Sequence, residues 1–86
     1  MSSVLPSNEE IFSTICTLTA PFNIKGVKMV RETTFSMDLD LDSLTVMDLV
    51  ANIEDEYDII IPLNLLPDLE TMGQVADAVE KIIQTK

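Results

Sequence analysis

The sequence predicts an all-α fold: a small four-helix bundle of three main amphipathic helices and one short helix, with a long loop between the first two. Three observations support this prediction. Apolar residues recur at helical spacing in three separate segments, two capping-box patterns mark helix starts, and an 86-residue chain with 47% hydrophobic residues can fill one modest core. We therefore expect a single domain spanning residues 1–86.

The first helix is predicted to begin at Ser7, because Ser7 and Glu10 have the spacing of a capping box. Pro21 predicts an end near Thr19 or Ala20, since the residue before a proline is driven out of the helical region. The apolar stripe that should face the core comprises Ile11, Ile15 and Leu18, and Phe22 continues it beyond the helix.

Residues 22–42 have no sustained helical period and contain several turn formers. Val27, Met29 and Phe35 are the side chains that could pack this connection onto the core. Loops of this length are uncommon inside a compact domain and are often functional, so the residues at its end are of interest.

The second helix is predicted over Ser43–Tyr57 from one continuous stripe, which consists of Val46, Leu49, Val50, Ile53 and Tyr57. Leu44, Met47 and Ala51 project together on the other side of the helix, with Asp48 and Asp55 beside them. An exposed apolar spot within an acidic rim is a plausible docking surface, although single exposed apolar residues are common and need no function.

The run Ile59–Ile61 is more consistent with a turn that buries Ile61 than with a strand, because an isolated ribbon with Val27–Val30 would be marginal. Pro62 should open a short helical segment, which contains Leu63, Leu65 and Leu66.

A last helix is predicted to begin at Thr71, since Thr71 and Gln74 form a second capping-box pattern. Its core face consists of Met72, Val75, Ala76, Val79, Ile82 and Ile83.

The charge balance excludes several classes of protein. Fifteen Asp and Glu against five Lys and Arg give a net charge of −10, which argues against binding to nucleic acid or to an anionic membrane. With no His and a single Cys, the chain lacks a His-based triad, a zinc site of the usual type and an internal disulfide. We expect the lone Cys16 to be an inert core residue.

The N-terminal residues 1–6 lack a basic region followed by a long apolar stretch, and no segment reaches the length of a membrane span. We therefore expect a cytoplasmic protein that does not insert into membranes. We also expect it to be monomeric.

The tripeptide Asp42-Ser43-Leu44 lies where the long loop meets the second helix. Asp42 is a favoured N-cap, so these residues could do no more than start a helix. Alternatively Ser43 carries a phosphate-linked group, because a helix N-terminus offers unpaired N–H donors and a favourable dipole to an anion. No His is present to activate Ser43, and the adjacent Asp42 would be poorly placed as a base, so another enzyme would have to install the group.

The acids Asp38, Asp40 and Asp42 resemble the opening of an EF-hand calcium loop. Such a loop needs Gly at its sixth position and Glu at its twelfth, where this chain has Ser43 and Leu49. We expect no specific metal site.

The segment from Phe35 to Leu44, the acidic helix that follows it and Ile61-Pro62 resemble the acyl carrier proteins. The similarity is close over residues 32–83 and looser over the first helix. One position and one segment differ from the usual pattern. Asp40 stands where the family most often has Gly, and residues 62–67 are more apolar and less acidic than the short third helix of a typical fatty-acid-synthesis carrier.

The resemblance implies that 4′-phosphopantetheine is attached to Ser43 by a phosphopantetheinyl transferase, within the motif that Asp42 and Leu44 complete. The arm would hold acyl intermediates as thioesters and present them to acyl-transferring or condensing enzymes with basic docking patches. By position, the docking face would comprise Leu44, Met47, Asp48, Ala51, Glu54 and Asp55.

Two other functions stay open at the level of sequence. The chain could be an aminoacyl or peptidyl carrier, or an unmodified acidic helical adaptor that docks on a basic partner. A free-standing enzyme is disfavoured, since no general base or metal ligand set is visible.

Overall fold

The computed structural model describes residues 5–85 and confirms the all-α bundle. Within these residues there is no strand; an isolated antiparallel bridge joins Thr34 to Thr71. The elements are α1 (Asn8–Thr19), a 3₁₀ helix (Ala20–Phe22), α2 (Ser43–Tyr57), a second 3₁₀ helix (Leu63–Asp68) and α3 (Met72–Gln84).

The boundaries of α1 and α3 follow their predicted caps. The Ser7 Oγ accepts a hydrogen bond from the Glu10 N–H at 3.1 Å, and the Glu10 carboxylate accepts one from the Ser7 N–H at 2.8 Å. The corresponding pair at α3 joins Thr71 and Gln74. Helix α1 ends at Thr19 as expected, but the chain continues into a 3₁₀ turn that includes Pro21.

Helix α2 has the predicted bounds. The Asp42 side chain caps its start, and Asp58 ends it in the left-handed conformation, with a φ of 54°. Leu49, Val50 and Ile53 are buried on the predicted stripe.

The core is built from residues of all three α-helices and of the segments between them, with α1 packed more extensively on α3 than on α2. Its largest fully buried side chains are Ile11, Ile15, Leu49, Ile53, Met72, Val75, Val79 and Thr19. The hydroxyl of Thr19 donates to the Ile15 carbonyl at 2.6 Å, which satisfies a polar group in the core. Cys16 packs against this core, and burial raises the pKa of its thiol while the nearby Arg31 charge opposes the rise.

The long connection between α1 and α2 is fastened to the first turn of α3. The carbonyls of Thr33 and Arg31 accept hydrogen bonds from the N–H groups of Met72 at 3.0 Å and of Gly73 at 2.9 Å. A Cβ at Gly73 would lie 3.1 Å from the Arg31 carbonyl oxygen, so glycine permits this close approach.

Side chains of the connection add to these backbone contacts. Phe35 and Leu39 are buried in the core, and Val27 and Met29 pack partly against it, so the prediction that the loop packs down is confirmed. The Arg31 guanidinium donates to the Asn8 Oδ1 at 2.5 Å and lies 4.8 Å from the centre of the Phe12 ring. Asn8 in turn donates to Asp77 and Glu80 on α3.

As expected, residues 59–62 do not form a strand; the turn itself is at Asp58, and the segment after it buries two isoleucines instead of one. Ile59 and Ile61 lie in the core, whereas Ile60 is 81% exposed. Pro62 was expected in the first turn of the short helix, but it lies outside that helix. It is the N-cap residue before Leu63, and its backbone is extended, with a ψ of 140°. The short helix is of the 3₁₀ type, and Pro67 lies inside it.

Residues 5–85 include no helix that is long and apolar enough to cross a membrane. The expectation about targeting signals concerns residues 1–6, and the first four of these lie outside the described residues.

We predict that Ile53→Asp unfolds the protein under conditions in which the matched variant Asn52→Asp stays folded. Ile53 is fully buried, so the substitution places an unpaired charge in a small core, whereas Asn52 is an exposed neighbour on the same helix. A domain of this size has about 5–10 kcal/mol of stability, which one buried charge can remove. Circular dichroism at the helical minimum measures the outcome, and equal helicity in the two variants would contradict the assigned core.

Candidate functional site

Ser43 is the first residue of α2, and its side chain is exposed. Residue 42 precedes it as the N-cap: the Asp42 Oδ1 accepts a hydrogen bond from the Thr45 N–H at 2.8 Å. That bond lowers the pKa of the Asp42 carboxyl below its ordinary value of 3.8. The hydrogen bonds found within residues 5–85 do not involve the Ser43 hydroxyl, so this exposed group is not engaged by another part of the described chain.

The start of α2 keeps two backbone donors available. The Asp42 side chain accepts a hydrogen bond from the Thr45 N–H, and the Asp42 backbone carbonyl accepts one from the Val46 N–H. No hydrogen bond within the described part of the chain uses the N–H groups of Ser43 or Leu44. Two unpaired donors at the positive end of a helix favour an anionic group attached next to them.

An apolar groove of about 430 Å³ lies beside Ser43. It is bordered by the end of the long connection, the first turn of α2 and the second 3₁₀ helix. The apolar lining consists of Phe35, Leu41, Val46, Met47, Leu63, Leu66, Pro67 and Leu69, and the polar lining of Ser36, Asp42, Ser43 and Glu70. A flexible group attached to Ser43 could therefore lie along an apolar surface of this protein.

Asp40 adopts the left-handed backbone conformation, with a φ of 56°. This conformation favours glycine, and Asp is among the other residues that tolerate it best. Asp40 also forms an exposed ion pair with Lys25, with the Nζ atom 3.9 Å from the Oδ2. The turn before Ser43 therefore keeps a backbone shape that suits glycine although glycine is absent.

The three acids of the EF-hand-like spacing have separate partners. Asp38 accepts hydrogen bonds from the N–H and the hydroxyl of Thr34, Asp40 pairs with Lys25, and Asp42 caps α2. Across residues 5–85, no group of three or more acidic, Cys or His side chains is arranged to hold a metal ion.

The predicted docking residues of α2 are not all equally available. Leu44 is 75% exposed and Met47 is 48% exposed, and Ala51, Asp48 and Asp55 are also exposed. Glu54 is half-buried instead, because its Oε2 accepts a hydrogen bond from the Ile61 N–H at 2.7 Å. The structure thus brings five of the six residues to the surface and turns the sixth toward the segment after the helix.

The sequence did not place the second 3₁₀ helix beside Ser43. Leu63 and Leu66 of this helix and Leu69 just after it line the same groove as Ser43, although they lie 20 to 26 positions further along the chain. The available signal was the unusually apolar run after Pro62, which indicated a short helix but not its neighbour.

Comparison with known proteins gives consistent matches. The family described as "Phosphopantetheine attachment site" matches residues 22–79. An acyl carrier protein of Porphyromonas gingivalis is 36% identical over 59 residues, which are 69% of this chain and 76% of that protein. One from Lactobacillus johnsonii is 31% identical over 75 residues, which are 86% of this chain and 94% of that protein. The mitochondrial acyl carrier protein of Saccharomyces cerevisiae is 38% identical over 55 residues, 64% of this chain and 44% of its own length.

We predict that Asp40→Gly is more stable than Asp40→Ala by about 1 kcal/mol. Both variants lose the carboxylate and its ion pair with Lys25, but only alanine keeps a Cβ in the left-handed conformation. Urea unfolding followed by circular dichroism measures the difference. Equal stability, or a more stable alanine variant, would show that position 40 does not require this backbone conformation.

We also predict that Asp42→Ala lowers the melting temperature at pH 7 and that the deficit shrinks in acid. The folded-state pKa of Asp42 is lowered, so its contribution to stability is present above the unfolded value of 3.8 and is lost as the pH falls through the folded pKa. Melting curves of both proteins from pH 7 to pH 2.5 test this. A deficit that does not change with pH would rule out a charged cap.

Proposed function

The chain belongs to the acyl carrier protein family, and from that premise we propose that Ser43 is the residue that carries its 4′-phosphopantetheine. The chain is a carrier of acyl groups as thioesters in fatty-acid synthesis. The observation that best supports Ser43 is its position: an exposed hydroxyl on the first residue of α2, between two unpaired N–H groups and an apolar groove.

The residues around Ser43 fit a phosphodiester-linked arm. The Ser43 and Leu44 amides point toward the N-terminal end of α2, where an anion is stabilised by unpaired donors and by the helix dipole. The groove beside Ser43 offers apolar lining to the arm and to its cargo. When bound, the cofactor supplies the thiol that holds the acyl group.

Attachment requires a separate enzyme. The bond that forms would join the Ser43 Oγ to the phosphorus next to the pantetheine, the bond that breaks would be a P–O bond of the coenzyme A pyrophosphate, and adenosine 3′,5′-bisphosphate would leave. The serine proton needs a base, but the chain has no His and the Asp42 carboxylate is engaged by Thr45. A phosphopantetheinyl transferase would therefore supply both the base and the coenzyme A site.

Acyl carrier proteins interact with enzymes of acyl metabolism and are carriers, not catalysts. For this chain we propose that it has no catalytic residues and that residues 1–86 act as one carrier domain. Its partners would be acyl-transferring or condensing enzymes with basic patches. The docking face would be the exposed side of α2, formed by Leu44, Met47, Asp48, Ala51 and Asp55, with Glu54 at its edge.

The acids of this face would speed encounter with a basic partner, and added salt would weaken their effect. Asp48 and Asp55 are exposed, so their fields are screened within about 8–10 Å at physiological ionic strength.

We predict that the wild-type protein gains the mass of one phosphopantetheine when it is incubated with coenzyme A, Mg²⁺ and a promiscuous phosphopantetheinyl transferase. Ser43→Ala should gain nothing. Ser36→Ala is the matched control, because Ser36 is an exposed serine that lines the same groove, and it should be modified like the wild type. Intact mass spectrometry measures all three.

Modification of Ser43→Ala would place the attachment at another residue. Absence of modification in a folded wild-type protein, tried with several transferases, would instead support an unmodified acidic adaptor. Such an adaptor would bind its partner equally well with Ser43→Ala, which a pull-down with both proteins would show.

A further inference from the structure

Three large apolar side chains are exposed around the groove beside Ser43. Leu63 is 72% exposed and lies on the second 3₁₀ helix, and Met47 is 48% exposed and lies on α2. Both line the groove, so they border it from two different elements. Leu44 is 75% exposed in the first turn of α2. We call Leu44, Met47 and Leu63 the apolar lip.

Acidic residues border this lip, and the second 3₁₀ helix contributes one of them, the exposed Asp68 at its end. Asp42 and Glu70 line the groove together with Met47 and Leu63, and Asp48 is exposed on α2. Residues 63–67 carry no charge at all. An apolar surface with an acidic border fits a partner that presents the opposite pattern, an apolar projection with Lys or Arg around it.

Two other occupants fit less well. A second copy of this chain would bring another net charge of −10 against the same acidic border, which opposes association. The protein's own acyl cargo would contact the walls of the groove, but Leu63 presents most of its surface to solvent. Covering an exposed leucine removes apolar area from water, which favours binding of a partner.

We propose that the docking surface extends from α2 across the groove to Leu63, and that it receives an apolar projection of the partner flanked by basic residues. This inference rests on the proposed function, because the partners concerned are the enzymes that act at Ser43 or on its arm. Leu63 is thus a specificity residue: enzymes that place only basic side chains opposite the 3₁₀ helix would use this carrier poorly.

The test is the KM of two enzymes for this protein: a phosphopantetheinyl transferase with the apo form, and a malonyl-CoA transferase of fatty-acid synthesis with the holo form. We expect Leu63→Asn to raise the KM of at least one about five- to tenfold, with kcat unchanged and with rescue by Leu63→Met. Ile24→Asn is the matched control, because Ile24 is 93% exposed and does not line the groove.

Salt separates the apolar from the charged contribution. The KM increase of Leu63→Asn should persist at about 0.5 M salt, whereas that of Asp48→Asn should largely disappear. Melting curves of the variants verify that Leu63→Asn is folded, as expected for an exposed residue.

Unchanged KM values for both enzymes with Leu63→Asn would overturn the proposal. So would a wild-type dimer in sedimentation that Leu63→Asn dissociates, or faster hydrolysis of an octanoyl thioester with no change in KM, since these outcomes assign Leu63 to self-association or to cargo. Failure of the wild type to be loaded at all would instead refute the proposed attachment, so the two failures are distinguishable.

Discussion

The attachment of the long connection to the first turn of α3 positions the start of α2 and one wall of the groove beside Ser43. The first N–H groups of a helix have no partner within it, and here the carbonyls of Arg31 and Thr33 accept hydrogen bonds from those of α3. Gly73 makes the approach possible because it has no Cβ. Phe35 and Leu39 of the connection are also buried in the core, so packing and hydrogen bonds together hold the connection in place. Helix α2 begins where the connection ends.

The two helix starts near the groove are used differently. At α3, the amides of residues 72–74 are taken by the connection and by the Thr71 side chain, so this terminus is structural. At α2, Asp42 accepts hydrogen bonds only from the amides of Thr45 and Val46. The donors left over at Ser43 and Leu44 are those that a phosphate attached to Ser43 would meet, so the start of α2 supports the attachment that we propose there.

Asp40 and Glu54 show how backbone shape and burial modify what a family pattern implies. The usual glycine at position 40 is explained by a positive φ, which Asp tolerates, so the loop keeps its form while gaining a charge beside Lys25. Glu54 has the right sequence position for a docking acid, yet its carboxylate accepts a hydrogen bond from the Ile61 N–H. It thereby links α2 to the segment that leads to Leu63.

The sequence by itself determined the three α-helices and the candidate attachment residue. Caps and apolar stripes act between residues three or four apart, and Pro21 acts on its neighbour, so all three helices could be predicted, with Ser43–Tyr57 at its observed bounds. Only the tertiary structure decided the course of residues 23–42, the burial of Leu39 and the meeting of Leu63 with Met47 across the groove. These depend on hydrogen bonds and packing between residues far apart in the chain, for which local spacing carries no signal.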